Sequence, residues 1–338
     1  MSKSLFVSPS PHVVGDQSSH RIMRDVIFAL LPSLAISAIY FGCMSLVVSG
    51  VAVASCIFFE YVIRKFLIGE KSIGCDLSPV VTGLLLAFNL PASIPLWIVI
   101  IGSLVSIGIA KMTFGGLGKN PFNPALVGRV FLLIAYPVQM TSFPEVKGVV
   151  DIFSGATPLA AMKSASLPND IIASGATNMK EAFSISSVNF QDMLFGAIPG
   201  SMGEVASLLL IAGGIYLLIR RVITWHIPVA VLGSMAVFAL LYALWGGYDS
   251  IGALHFSAFH ILAGGALLGA IYMATDYTTS PMTHKGMVIF GVGIGVITMM
   301  IRLWGAYPEG MSFAILIMNS CVPLINKYVK PKRFGAAK

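Results

Sequence analysis

Apolar residues fall in long runs along this chain, separated by short polar connections. A helix that crosses a bilayer needs about 20 mostly apolar residues. Ten runs approach that length, at 25–41, 44–63, 77–91, 95–111, 125–140, 204–221, 226–245, 255–275, 286–304 and 311–328. The third is short and contains Asn89 and Pro91, which reads as a broken or re-entrant segment; the fifth is also short. The pattern predicts an all-α polytopic membrane protein of about ten transmembrane helices.

The positions of the charges orient these spans. With the N terminus inside, sixteen lysines and arginines flank the inner ends, among them Arg21, Arg24, Arg64, Lys65, Lys111, Lys119, Arg220, Arg221 and Lys327. The outer connections hold four, Lys147, Lys163, Lys180 and Arg302, while Arg129 falls within a span. That bias places both termini on the cytoplasmic side and requires an even number of crossings. Composition agrees: 57% of the 338 residues are apolar and 10% are charged. A soluble domain carries about 25% charged residues. The net charge of +7 is spread between spans and forms no patch with interleaved aromatics, so it is read as membrane orientation and not as nucleic-acid binding. Residues 1–20 are polar and lack the apolar stretch of a cleavable signal peptide.

One connection is out of scale. Residues 141–203, expected outside, are rich in Ser, Ala and Gly, and loops of that length are usually functional or disordered. They divide the chain into a cytoplasmic segment (1–24), a first five-helix half (25–140), the extracytoplasmic loop, a second five-helix half (204–328) and a cytoplasmic tail (329–338). An odd number of spans in each half gives the halves opposite orientation, the arrangement of an inverted repeat with a site near the midplane.

The loop contains Asp151-Ile152-Phe153-Ser154-Gly155-Ala156-Thr157-Pro158. D-x-x-S-G-A-T resembles the flavinylation motif of redox-pump subunits, in which the threonine is esterified by FMN phosphate. The residue types suit that chemistry. A hydroxyl supplies the nucleophile for a flavin pyrophosphate, Gly155 and Ala156 leave the backbone open to a transferase, and Pro158 favours an extended, accessible Thr157. Ser174-Gly175-Ala176-Thr177 repeats the tetrapeptide, but Asp170 lies one residue too far upstream and Asn178 stands in place of proline.

Other segments widen the resemblance to nearly the whole chain. They are Gly115-Gly116-Leu117-Gly118-Lys119-Asn120-Pro121-Phe122-Asn123-Pro124-Ala125, Ala274-Thr275-Asp276-Tyr277-Thr278-Thr279-Ser280-Pro281, Tyr307-Pro308-Glu309-Gly310 and the N-terminal S-P-x-P-H. Together they are similar to the NqrB/RnfD family, membrane subunits of the Na⁺-translocating NADH:quinone oxidoreductase and of the Rnf ferredoxin:NAD⁺ oxidoreductase. The short N terminus and Thr157-Pro158-Leu159-Ala160 look like the Rnf branch. The resemblance implies a subunit of the bacterial inner membrane that is inactive alone. It also implies covalent FMN on Thr157, a noncovalent riboflavin toward the cytoplasmic half, and electron transfer coupled to Na⁺ or H⁺ translocation. The implied partners are the other subunits of the complex, one of them also flavinylated, and the flavin transferase that matures them.

Intramembrane polar residues are costly and therefore candidates by default. Arg129 either pairs with a flavin phosphate or a carboxylate, or snorkels to an interface; Asp76 and Asp276 either line an ion path or are solvated helix ends. Several signals are set aside. Gly115 to Lys119 has the wrong spacing for a phosphate-binding loop, and Asn120 follows the lysine. Gly291, Gly293 and Gly295 read as helix packing, and His255 and His260 as core or interface residues. The scattered Cys43, Cys56, Cys75 and Cys321 form no metal motif, and no catalytic set is evident. Three other readings remain: the quinone-reductase subunit, a non-redox inverted-repeat transporter, and a scaffold that has lost its flavin.

Overall fold

The computed structural model describes residues 18–69, 77–144, 154–155, 157–165, 190–196, 198–204 and 207–330. Helical segments occupy all ten expected spans. The first half comprises α1 (Ser19–Phe41), α2 (Cys43–Ile68), α3 (Ser78–Phe88), α4 (Leu96–Phe114) and α5 (Pro124–Ala135). Between the halves lie α6 (Pro137–Thr141), a two-residue antiparallel pair of β1 (Phe143–Pro144) and β2 (Ser154–Gly155), α7 (Pro158–Ala165) and α8 (Phe190–Phe195). The second half comprises α9 (Ser207–Ile219), α10 (His226–Trp245), α11 (Ser250–Leu262) with α12 (Ala266–Met273), α13 (His284–Trp304) and α14 (Met311–Tyr328). Five of these are long and apolar enough to cross a membrane, and α11 with α12 makes a sixth as a bent pair. The protein is a polytopic all-α membrane protein.

The short segments have local causes. At the end of α3 the Asn89 amide turns back to donate to the Leu85 carbonyl (2.6 Å), and Pro91 cannot continue the helix. α5 starts at Pro124, where the missing N–H costs nothing, and the Asn123 side chain accepts from the amides of Ala125 (3.1 Å) and Leu126 (3.4 Å). The eighth span is not one straight helix. Ala263, Gly264 and Gly265 interrupt it, Gly264 adopts φ +67°, and α12 leaves at 65° to α11.

That break gives partners to a residue which the charge pattern reads only as a flank. Arg302, expected as an outer flank, is only 2% exposed and donates to the carbonyls of His260 and of Ala263 (2.9 Å), satisfying the last turn of α11. Lys111, expected as an inner flank, is likewise buried and bonds Glu60 and Ser78 (2.6 Å). Packing elsewhere relies on small residues. A Cβ on Gly291 would lie 2.6 Å from Ala230 Cβ and one on Gly295 would lie 2.7 Å from the Val231 carbonyl, so these glycines seat α13 directly on α10. Gly293 faces Met318 of α14 instead. His260 is fully buried between the rings of Phe256 and Phe259. Phe28, Ile39, Phe58, Val237 and Leu241 point outward, as lipid contact requires.

Candidate functional site

Thr157 follows β2 and opens α7. Its hydroxyl accepts from the Ala160 amide (3.2 Å) and its carbonyl from the Ala161 amide (2.8 Å), with Pro158 at the first helical position: an N-cap set by Thr-Pro. β2 is paired to β1, Gly155 opposite Phe143 and Ser154 opposite Pro144, which holds the segment against the end of α6. Thr157 is therefore not the accessible, extended residue that Pro158 alone suggests; it is 4% exposed and faces inward. It opens onto a cavity of about 180 Å³, whose polar wall is formed by Asn89, Arg129, Thr157, Tyr307 and Glu309 and whose apolar wall includes Leu133, Met140 and Phe143.

Arg129, on α5, is 6% exposed and does not snorkel. One end of its guanidinium pairs with the Glu309 carboxylate and the other with the Ser312 hydroxyl at the start of α14. Its Nε is buried with no hydrogen-bond partner among the described residues. The connection bearing Glu309 is held by α7, because Lys163 donates to the Tyr307 carbonyl (2.8 Å). Desolvation there lowers the Lys163 pKa. The same helix thus caps itself with Thr157 and anchors the segment that supplies Glu309.

A second cavity, of about 90 Å³, lies at the opposite end of α3, where Ser78, Lys111, Asn120, Asn123, Asp276 and Tyr277 meet apolar side chains of α1 and α9. Asn123 donates to the Met273 carbonyl (3.1 Å) and Tyr277 to the Val222 carbonyl, which ties both quoted loops to this end. Asp276 is partly buried. Burial raises its carboxyl pKa, against hydrogen bonds from Thr278 (3.0 Å) and Thr279 (3.4 Å) that lower it.

Residues 6–335 match the family described as the NQR2, RnfD, RnfE family. The chain belongs to that family. Similar to it is the subunit designated D in the Na(+)-translocating ferredoxin:NAD(+) oxidoreductase complex of Acetobacterium woodii, 42% identical over 337 residues, with 99% of this chain and 96% of that protein covered. The subunit of the same designation in the Proton-translocating ferredoxin:NAD(+) oxidoreductase complex of Clostridium ljungdahlii is 39% identical over 339 residues, covering 99% and 98%. Its counterpart in the Ion-translocating oxidoreductase complex of Ectopseudomonas mendocina, also designated D, is 35% identical over 337 residues, covering 97% and 95%.

Within this NQR2, RnfD, RnfE chain, the structure brings Thr157 and Arg129 to one cavity and leaves Asp276 at the other end of α3. Ser154 and Gly155 form β2, while Asp76, Asp151, Ala156 and Thr177 lie outside the described residues. Sequence reasoning gave no role to Glu309, although Tyr307-Pro308-Glu309-Gly310 was itself a signal; it read Asn89 only as part of a broken segment and Arg302 only as a flank, and it passed over Glu204. A glutamate at the start of an apolar span was a readable cue for Glu204.

Proposed function

We propose that this chain is the RnfD component of an ion-translocating ferredoxin:NAD⁺ oxidoreductase, with FMN esterified to Thr157 and electron passage coupled to movement of Na⁺ or H⁺. Full-length similarity to the D-designated members of such complexes supports the assembly. The observation that carries the site is the shared cavity of Thr157 and Arg129. The residues suit a phosphoester. A buried guanidinium with an unpartnered Nε is a ready donor to a phosphate oxygen, and the apolar wall suits a flat ring.

Attachment breaks one bond and forms another. Thr157 Oγ attacks the FMN-side phosphorus of a flavin adenine dinucleotide, the P–O bond to AMP breaks, AMP leaves, and the hydroxyl proton passes to solvent. Esterification removes that proton but leaves the oxygen lone pairs, so capping of the Ala160 amide persists. FMN held there supplies one- and two-electron transfer. The chain's own residues orient the phosphate, cap α7 and exclude water. A transferase reaches Thr157 before α7 docks, since the docked residue is buried.

The long connection lies on the outer face of the bacterial inner membrane in this reading, with both termini cytoplasmic. The cavity beside Asn120, Asn123 and Asp276 then faces the cytoplasmic half and is the place for a riboflavin. Irregular third segments in both halves, α3 and the broken α11–α12, are in keeping with an inverted repeat whose sites are built at broken helices. Relatives named for Na⁺ and for protons are similarly close, so the ion is left as either.

In-gel flavin fluorescence of the denatured full chain, made together with a flavin transferase, tests the assignment. Wild type and Thr177→Ala fluoresce and Thr157→Ala is dark. A dark wild type, or a fluorescent Thr157→Ala, ends the proposal.

A further inference from the structure

Glu204 is the most anomalous polar group among the described residues. It is 3% exposed, in a turn pinned to the end of α3 by the Gly203 amide on the Phe88 carbonyl (2.7 Å) and the Met202 amide on the Leu90 carbonyl (3.2 Å). Its carboxyl folds over Gly200, where a Cβ would come within 2.5 Å of Oε2. Polar groups surround it: the Glu309 carboxyl, the Ser201 hydroxyl and the charge of Arg129. Glu309 and Ser201 are close enough to share hydrogens with it, yet among the described residues neither Glu204 oxygen receives a hydrogen bond of good geometry. An ionised carboxylate buried without donors costs several kcal/mol, by order of magnitude.

The nearby cations do not resolve this. Arg129 spends its terminal nitrogens on Glu309 and Ser312, and Arg302 spends its own on the carbonyls of His260 and Ala263. Lys163, on α7, is turned to the carbonyls of Tyr307 and Ile301. His260 lies behind Arg302, sealed among rings. What remains facing Glu204, beside the Ser201 hydroxyl, is a second carboxyl, Glu309, that already has its arginine. Two carboxyls in contact with no donor between them are satisfied by one added proton: the neutral acid donates its O–H to the carboxylate.

We propose that Glu204 and Glu309 form a proton-binding site that holds one proton between them and exchanges it with the occupant of the Thr157 cavity. The two residues differ in position. Glu309 lines the cavity, and Glu204 sits behind it, away from the wall. The order Glu204, Glu309, cavity is a short relay. A flavin that gains an electron gains affinity for a proton at its ring nitrogens. Were an electron to reach a flavin held there from a reduced donor centre of the complex, the proton would leave a carboxyl oxygen, the O–H bonding pair would stay behind as carboxylate, and a ring-nitrogen lone pair would take the proton. Reoxidation reverses both transfers. The exchange rests on the flavin reading above; the proton held by the pair does not.

Infrared spectroscopy separates the two. In the full-length Thr157→Ala chain, which lacks the attachment oxygen, a neutral-carboxyl C=O band is expected at neutral pH. It is lost in Thr157→Ala/Glu204→Gln, and shifted in frequency in Thr157→Ala/Glu204→Asp, which also shows that the fold survives. Absence of that band, or its survival in the Glu204→Gln form, overturns the proton site whatever the flavin does. In the flavinylated complex, reduction with dithionite is expected to bleach the same band in wild type, with no bleach in Glu204→Gln. The pH dependence of the flavin midpoint potential should weaken in that variant. An unchanged band on reduction overturns the exchange, while a wild type without covalent flavin removes the flavin reading and leaves the first result standing.

Discussion

Arg129 and Glu309, 180 positions apart in sequence, form an ion pair that joins α5 of the first half to the α13–α14 connection of the second. Arg129 is buried and Glu309 partly so, and Ser312 completes the arginine's hydrogen bonding on the side of α14. Removing one partner of such a pair strands the other. Arg129→Met is expected to cost about 3–5 kcal/mol. Arg129→Met/Glu309→Gln should lose less than Arg129→Met alone, because no bare charge remains. Thermal unfolding in detergent, followed by size-exclusion chromatography, gives the order of the two; equal losses would argue against the pair as drawn.

Thr157 caps α7, and the proposed attachment of flavin would give its oxygen a second, separable task. Loss of an N-cap hydroxyl costs about 0.5–2 kcal/mol. Thr157→Ser should keep both stability and covalent flavin, Thr157→Asn should keep the cap without the flavin, and Thr157→Ala should lose both. A flavinylated Thr157→Asn chain would contradict the attachment chemistry.

Gly295 lets α13 touch the backbone of α10 at Val231. Gly295→Leu should therefore cost about 1–3 kcal/mol or more through overpacking, whereas Gly233→Ala, where a Cβ meets nothing within 4 Å, should be near neutral. Comparing the melting temperatures of the two variants checks the helix seam.

Asp276 provides a pH dependence. Its carboxyl pKa is raised in the folded protein by burial, so the folded state binds this proton more tightly than the unfolded state. The associated stability is full below the ordinary aspartate range and is lost as pH rises through the raised value. Asp276→Asn should accordingly stabilise the chain at neutral pH, and the gain should vanish on acidification. A gain independent of pH would assign the effect to something other than this ionisation.

The spans and the short third and fifth segments were legible because each depends on neighbours in sequence, whereas the break of the eighth at residues 263–265 was not read. Asn89-Leu90-Pro91 ends α3, Asn123-Pro124 starts α5, and the outward Phe28, Phe58 and Leu241 belong to unbroken apolar runs. The burial of Arg302 and Lys111 was not legible because a flank is defined along the chain, whereas their partners come from α11 and from α2 and α3. Thr157 was readable as a chemical motif, but its burial depends on α7 docking beside Tyr307, a contact 144 positions away for Lys163. Glu204 and Glu309 are 105 positions apart, and nothing local marks them as neighbours.

The shortness of α3 has an electrical consequence. Its 11 residues span about 16 Å, roughly half the thickness of a bilayer core of about 30 Å, and a cavity indents the protein at each end, at Ser78 and at Asn89. A membrane voltage falls mainly across low-dielectric material, so the field concentrates in the septum that α3 occupies. One elementary charge crossing 100 mV does about 2.3 kcal/mol of work. A charge passing between the two cavities would meet most of that gradient within the length of three helical turns.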